Sequence, residues 1–136
     1  MIEALSAGLV WVVLQAAAPS EAPPAGDSTA LEAAEVIDPQ ARRRDLVRMA
    51  EIIGWEHHLR AACDDDEENV WRDRMQTFLE LEQPTPAQHD AMIAAFNEGY
   101  YAAQERYGSC SRGARSEARR LAAEGRELSA RLAETF

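Results

Sequence analysis

The chain contains no lysine, so all 14 of its basic residues are arginine. Beside abundant alanine, that bias matches the codon usage of a GC-rich genome. Positive charge is also in deficit, since 24 acidic residues leave a formal charge of −10. A nucleic-acid binder needs a cationic face to displace counterions from phosphates, so that class is excluded and anionic lipid surfaces are disfavoured. Long apolar runs are equally scarce. The longest, from Ala4 to about Ala18, falls short of the roughly 20 residues a membrane span needs, and no stable span is expected once it is removed.

Cysteine is limited to Cys63 and Cys110. Their wide separation lacks the two-residue spacing of redox motifs and the short-spaced partners of zinc sites. No nucleophile elbow, phosphate-binding glycine loop or Ser/His/Asp order is present. Glu56-His57-His58 invites a metal reading, but adjacent helical residues diverge by about 100°, and ligating pairs need spacings of three or four. One histidine at the core edge, His57, and one in solvent, His58, is the expectation. His89 is remote. The acidic run Asp64 to Glu68 resembles a calcium loop only in charge, because Asn69 holds the glycine position and Met75 the final glutamate position. No catalytic residue, metal or cofactor is therefore assigned.

The N-terminal apolar run has the length of a signal-peptide core and leads into a stretch rich in Pro, Ala and Ser. Glu3 and the absence of early arginine depart from the usual positive start, and Ala18-Pro19-Ser20 before Glu21 offers a cleavage site. The expected organisation is a signal peptide at 1–20, a flexible linker at 21–37 with a short helical turn near 31–37, and a helical domain at 38–136. Periplasmic localisation follows from that leader.

Within the domain, four helices are predicted. Asp38-Pro39 supplies an N-cap and a first-turn proline for a helix to about Ala62, with Leu46, Met49, Ala50, Ile53 and His57 in one buried stripe. Asp65 with Glu68 three residues on reads as a capping box for the second helix. Trp71, Met75, Phe78, Leu79 and Glu82 share one side of it, and Pro84 stops it. Thr85-Pro86-Ala87-Gln88 combines three start signals for the third. Its stripe is Met92, Ile93, Phe96, Tyr100, Ala103 and Tyr107, with Gly108 as the C-terminal glycine. The fourth, Ser111 to Glu134, carries a heptad-like seam of Ala118, Leu121, Gly125, Leu128 and Leu132 that is expected to pack onto the domain. Its arginines are expected to face the acidic region 64–98.

Short links between long helices make neighbours antiparallel. Cys63 at the end of the first helix and Cys110 after the third then fall at the same pole. Together with an exported address, this makes a structural disulfide the expectation, in preference to a reactive or metal-bound pair. By the same counting, His57, Trp71 and Tyr100 lie roughly 8 to 12 Å down their helices at about 1.5 Å per residue. They form a candidate layer flanked by Arg60 and Asn97, either a pocket or simply core aromatics with hydrogen-bonded tips.

The segments MAEIIGWEHHLRAAC (49–63), WRDRM (71–75) and IAAFNEGYYAAQERYGSC (93–110) resemble an uncharacterised family of small alphaproteobacterial proteins with a leader-like N-terminus and two well-separated cysteines. The similarity covers roughly residues 46–112. It implies that Cys63 and Cys110 pair, and that Gly54, His57, Leu59, Arg60, Trp71, Arg72, Met75, Phe96, Asn97, Gly99 and Tyr100 match a recurring pattern. His58 departs from it, standing where an aromatic is expected. Gly99 inside a helix costs about 1 kcal/mol relative to Ala, which points to a close helix contact. The resemblance carries no activity. The leading expectation is thus an all-α antiparallel bundle with one disulfide, a non-enzymatic periplasmic interaction module with an envelope protein partner. A ligand-binding or enzymatic protein using His57, Trp71, Asn97 and Tyr100, and an acidic periplasmic chaperone, are the alternatives.

Overall fold

Asp38 and Pro39 open the first helix as their chemistry dictates. The Asp38 carboxylate accepts the Gln40 N–H at 2.9 Å, and proline takes a first-turn position whose N–H would have no intrahelical partner. The computed structural model describes residues 38–65 and 69–134. The expected leader at 1–20, the linker at 21–37 and part of the acidic stretch lie outside the described residues.

Four helices follow in order: α1 Pro39–Asp64, α2 Val70–Glu82, α3 Pro86–Arg106 and α4 Arg112–Ala133. No strand is found among the described residues. Thr85 caps α3 by accepting the Gln88 N–H at 3.3 Å, and Ser111 caps α4 by accepting the Ala114 N–H at 3.0 Å. Two helix ends differ from expectation. Asp65 does not start α2; it closes α1 in the left-handed region at φ 52°, with its N–H bonded to the Arg60 carbonyl. A short polar side chain tolerates that conformation, and Asn69 takes the N-cap position of α2 instead. Gly108 is not a left-handed cap either: α3 ends at Tyr107 with φ −133°, and no described glycine has positive φ.

The contacts between helices fix their directions. Gln88 reaches the Arg43 carbonyl, Gly99 lies on the Glu51 carbonyl and His58 meets the Tyr107 carbonyl, so α1 and α3 run parallel. Arg42 pairs with Glu82 at the far end of α2. In α4, Leu132 lies against the start of α1 through Arg42, and Arg115 against its end through the Cys63 carbonyl; α2 and α4 are therefore antiparallel to α1. Every major helix pairing involves α1, and its residues from Ile52 to Leu59 are buried except Trp55. The expected single stripe is thus too narrow. A helix packed on several sides buries more than one face, which brings Ile52, Glu56, His58 and Leu59 inside as well.

Two apolar clusters flank α1. Leu46, Ala50 and Ile53 pack with Met75 of α2 and with Met92 and Ala95 of α3. Ile52 and Leu59 pack with Ala103 and with Ala114, Ala118, Leu121 and Leu128 of α4. The heptad-like seam is therefore spent on the domain itself. Its arginines bind mainly α1 and their own helix: Arg131 to Asp45 at 3.0 Å and Arg120 to Glu117 at 2.8 Å, with Glu124 accepting from Arg48 of α1 at 2.7 Å. Among the described residues of the acidic region 64–98, Arg115 meets Asp64 at 3.5 Å. Cys63 and Cys110 are joined, with Cα atoms 4.9 Å apart, at the pole where α1 and α3 both end. No helix among the described residues is long and apolar enough to cross a membrane.

Candidate functional site

Two of the concavities beside α1 take the five residues expected to form one layer, which divide between them. His57, Asn97 and Tyr100 line a notch of about 280 Å³ between α2 and α3, with Arg72, Gln76 and Tyr101 at its polar edge and Met75, Leu79, Ile93 and Phe96 as its apolar wall. Trp71 and Arg60 line a separate cleft of about 620 Å³ between α1, α2 and α4. Each helix is rotated about its own axis by its packing, which a count of rise per residue cannot register.

The notch is an aromatic assembly. The His57 ring lies 4.9 Å from Tyr100 and 5.9 Å, stacked, from Phe96. Tyr100 in turn meets Tyr101 edge-on at 5.5 Å and the edge of His58 at 5.9 Å. His58 was expected in solvent and is instead only 9 % exposed. Its Nε2 bonds the Tyr107 carbonyl, which can only accept, so that nitrogen carries the hydrogen. The end of α3 folding over α1 is what buries it. Tyr101 is the outlier at 64 % exposed, a large aromatic held at the rim by Tyr100.

A glycine pair sets how closely α1 and α3 approach beneath this assembly. A Cβ on Gly54 would stand 2.0 Å from the Phe96 carbonyl oxygen, and one on Gly99 would stand 2.3 Å from that of Glu51. Backbone thus packs on backbone at both points, which is the close contact that Gly99 implied.

The cleft is built on a residue that sequence reasoning missed. Glu56 is only 2 % exposed; its Oε2 accepts from Arg60 at 2.6 Å, while its Oε1 has no hydrogen-bond partner among the described residues. Burial pushes its carboxyl above the usual range, against the opposing pull of the Arg60 hydrogen bond. An unsatisfied buried acceptor costs about 1–3 kcal/mol, and more when charged. Met49, Ile52, Ile53 and Leu121 supply apolar walls, and Asp64, Trp71, Arg74, Arg126 and Ser129 line it as well. The Arg74 guanidinium lies 4.1 Å over the Trp71 ring. One sequence signal was available: Glu56 is the one acidic residue in the stretch Ile52 to Leu59, with Arg60 one turn on as a partner. Among the described residues, no group of three or more His, Cys, Asp or Glu stands close enough to hold a metal ion.

The family model described as protein of unknown function (DUF2385) matches residues 42–136. The chain belongs to the DUF2385 family. The match covers α1 from Arg42 onward and all of α2, α3 and α4, with both cysteines and the residues that line the notch and the cleft, and extends beyond the segment 46–112 that carried the resemblance. Neither a curated protein nor a solved structure matches the chain.

Proposed function

We propose that this DUF2385 protein is an exported, non-catalytic recognition module of the periplasm that engages an envelope protein partner at the notch between α2 and α3. The observation that carries the reading is Tyr101, a large aromatic left 64 % exposed at the mouth of an apolar depression lined by Met75, Leu79, Ile93 and Phe96. Binding energy at protein interfaces concentrates in aromatic anchors seated in such pockets with polar rims. The notch, about 280 Å³, is at the small end of ligand sites, and its apolar wall suits one apolar side chain of a partner. The terminal helix is a poor alternative surface: Leu121 and Leu128 are 1 % and 2 % exposed and already packed against α1. The Cys63–Cys110 bond supports the exported address, since structural disulfides persist in oxidising compartments.

The test places a photo-crosslinkable residue at Tyr101 in the native host and fractionates the cells. The expected result is a periplasmic, oxidised protein with one stoichiometric crosslinked partner, lost on Ile93→Asp and retained on Leu81→Ala. A reduced cytoplasmic protein, or crosslinks to many unfolded clients, would overturn the reading, the latter in favour of a chaperone.

A further inference from the structure

We propose that the cleft between α1, α2 and α4 binds a short peptide zwitterion, two or three residues long, that carries an apolar side chain. The site is distinct from the notch and shares no lining residue with it. Three features of the cleft each match one part of such a ligand. The first is Glu56: a carboxylate 2 % exposed whose Oε1 lacks a hydrogen-bond partner among the described residues, and which lines the cleft. An acceptor in that state calls for a donor, and an ammonium group gives the strongest, charge-assisted bond. The last torsion of a glutamate side chain is soft, so the carboxylate can turn toward a donor entering the cleft.

The second feature is the floor. Met49, Ile52, Ile53 and Leu121 present aliphatic surface between Glu56 and α4, which suits an apolar side chain. The third is the balance of charge. Arg60 is already committed to Glu56 and Asp64. Arg74 and Arg126 also line the cleft, and neither forms an ion pair within 4 Å among the described residues; Arg74 covers the Trp71 ring and acts on Glu56 only through its charge. Arginine is suited to bidentate capture of a carboxylate. Size completes the argument, since about 620 Å³ falls within the range of small-ligand sites and exceeds what one apolar side chain fills.

The test is isothermal titration of the full-length, oxidised protein with leucyl-leucine, its N-acetyl and C-amide derivatives, and free leucine. Saturable binding of the dipeptide is expected, weakened at least tenfold by N-acetylation and by Glu56→Gln, and likewise by amidation and by Arg126→Ala. Arg126 is exposed, so that variant keeps the fold and the proposal stays testable should Glu56→Gln unfold. No saturable heat at millimolar dipeptide would overturn the proposal, as would binding that survives both N-acetylation and amidation. Free leucine binding as tightly as the dipeptide would overturn the peptide assignment. Tyr101→Ala should leave the titration unchanged, so failure here and failure at the notch are read separately.

Discussion

Gly54 and Gly99 are the residues on which the geometry of the domain turns. Alanine is normally favoured over glycine inside a helix by about 1 kcal/mol, yet at Gly99 the added methyl would lie 2.3 Å from the Glu51 carbonyl oxygen. That oxygen belongs to rigid backbone and cannot step aside without parting the two helices. Gly99→Ala should therefore lower stability by about 3 kcal/mol or more, in the range of severe overpacking. At Gly125 the nearest atom is the Ile52 Cγ2 at 3.8 Å, ordinary contact. Gly125→Ala should be neutral or stabilising by up to about 1 kcal/mol. Urea denaturation of the two variants checks the contrast, and equal effects would contradict it.

Glu56 supplies a second residue-scale prediction, through pH. Its folded carboxyl is raised above the ordinary 4.5 by burial. At pH below the unfolded value the acid is neutral in both states and carries no penalty. As pH rises through the raised folded value, ionisation favours the unfolded chain and stability is lost. Glu117 and Glu124 act in the opposite sense: hydrogen bonds from Arg120 and Arg48 lower them, and their contribution is lost as pH falls. Those groups are common to wild type and Glu56→Gln. The melting temperature of the variant minus that of wild type should therefore grow as pH is raised from about 4 toward 7. A flat difference would show that burial of Glu56 has no energetic consequence.

Among the helices, α4 shows most clearly how a pattern can be right while its use stays open. The spacing Ala118, Leu121, Gly125, Leu128, Leu132 marks a packing face, and four of the five are buried. What covers that face is α1 and not another chain. Leu121→Ala should thus behave as a core truncation, costing about 2–5 kcal/mol with partner binding retained in the surviving folded fraction, measured by denaturation beside crosslinking. The local start signals at Asp38-Pro39, Thr85-Pro86 and Ser111 were legible because a cap and its helix are neighbours in sequence. The start of α2 was not. Asp65 has a capping side chain, but the chain reverses there and uses its tolerance of left-handed backbone to end α1 first. Within the candidate layer, His57, Asn97 and Tyr100 line one concavity, whereas Trp71 and Arg60 line a different one around Glu56.

For the molecule as a whole, the disulfide ties the ends of two parallel helices across 47 residues of sequence. Closing a loop of that length restricts the unfolded chain by about 4 kcal/mol in the entropy model, a large share of the 5–15 kcal/mol typical of a domain. The double variant Cys63→Ala/Cys110→Ala should keep its helical circular dichroism and lose up to about that much stability in urea. Wild type treated with reductant should match it. The half-exposed ion pairs add less: Arg48 bridges Glu51 and Glu124 with about a third of each side chain exposed, where solvent limits a pair to about 0–1 kcal/mol.

By itself the sequence determined the four helices, their alternating directions and the meeting of the cysteines, because caps, breakers and link lengths act over a few residues and leave little choice of topology. Only the tertiary structure decided which polar groups went inside. Glu56 and His58 are buried because α1 is packed on several sides, and the rotation of each helix follows from where Gly54 and Gly99 let backbone meet backbone. That rotation is set by contacts between residues some 40 positions apart, which no local pattern encodes.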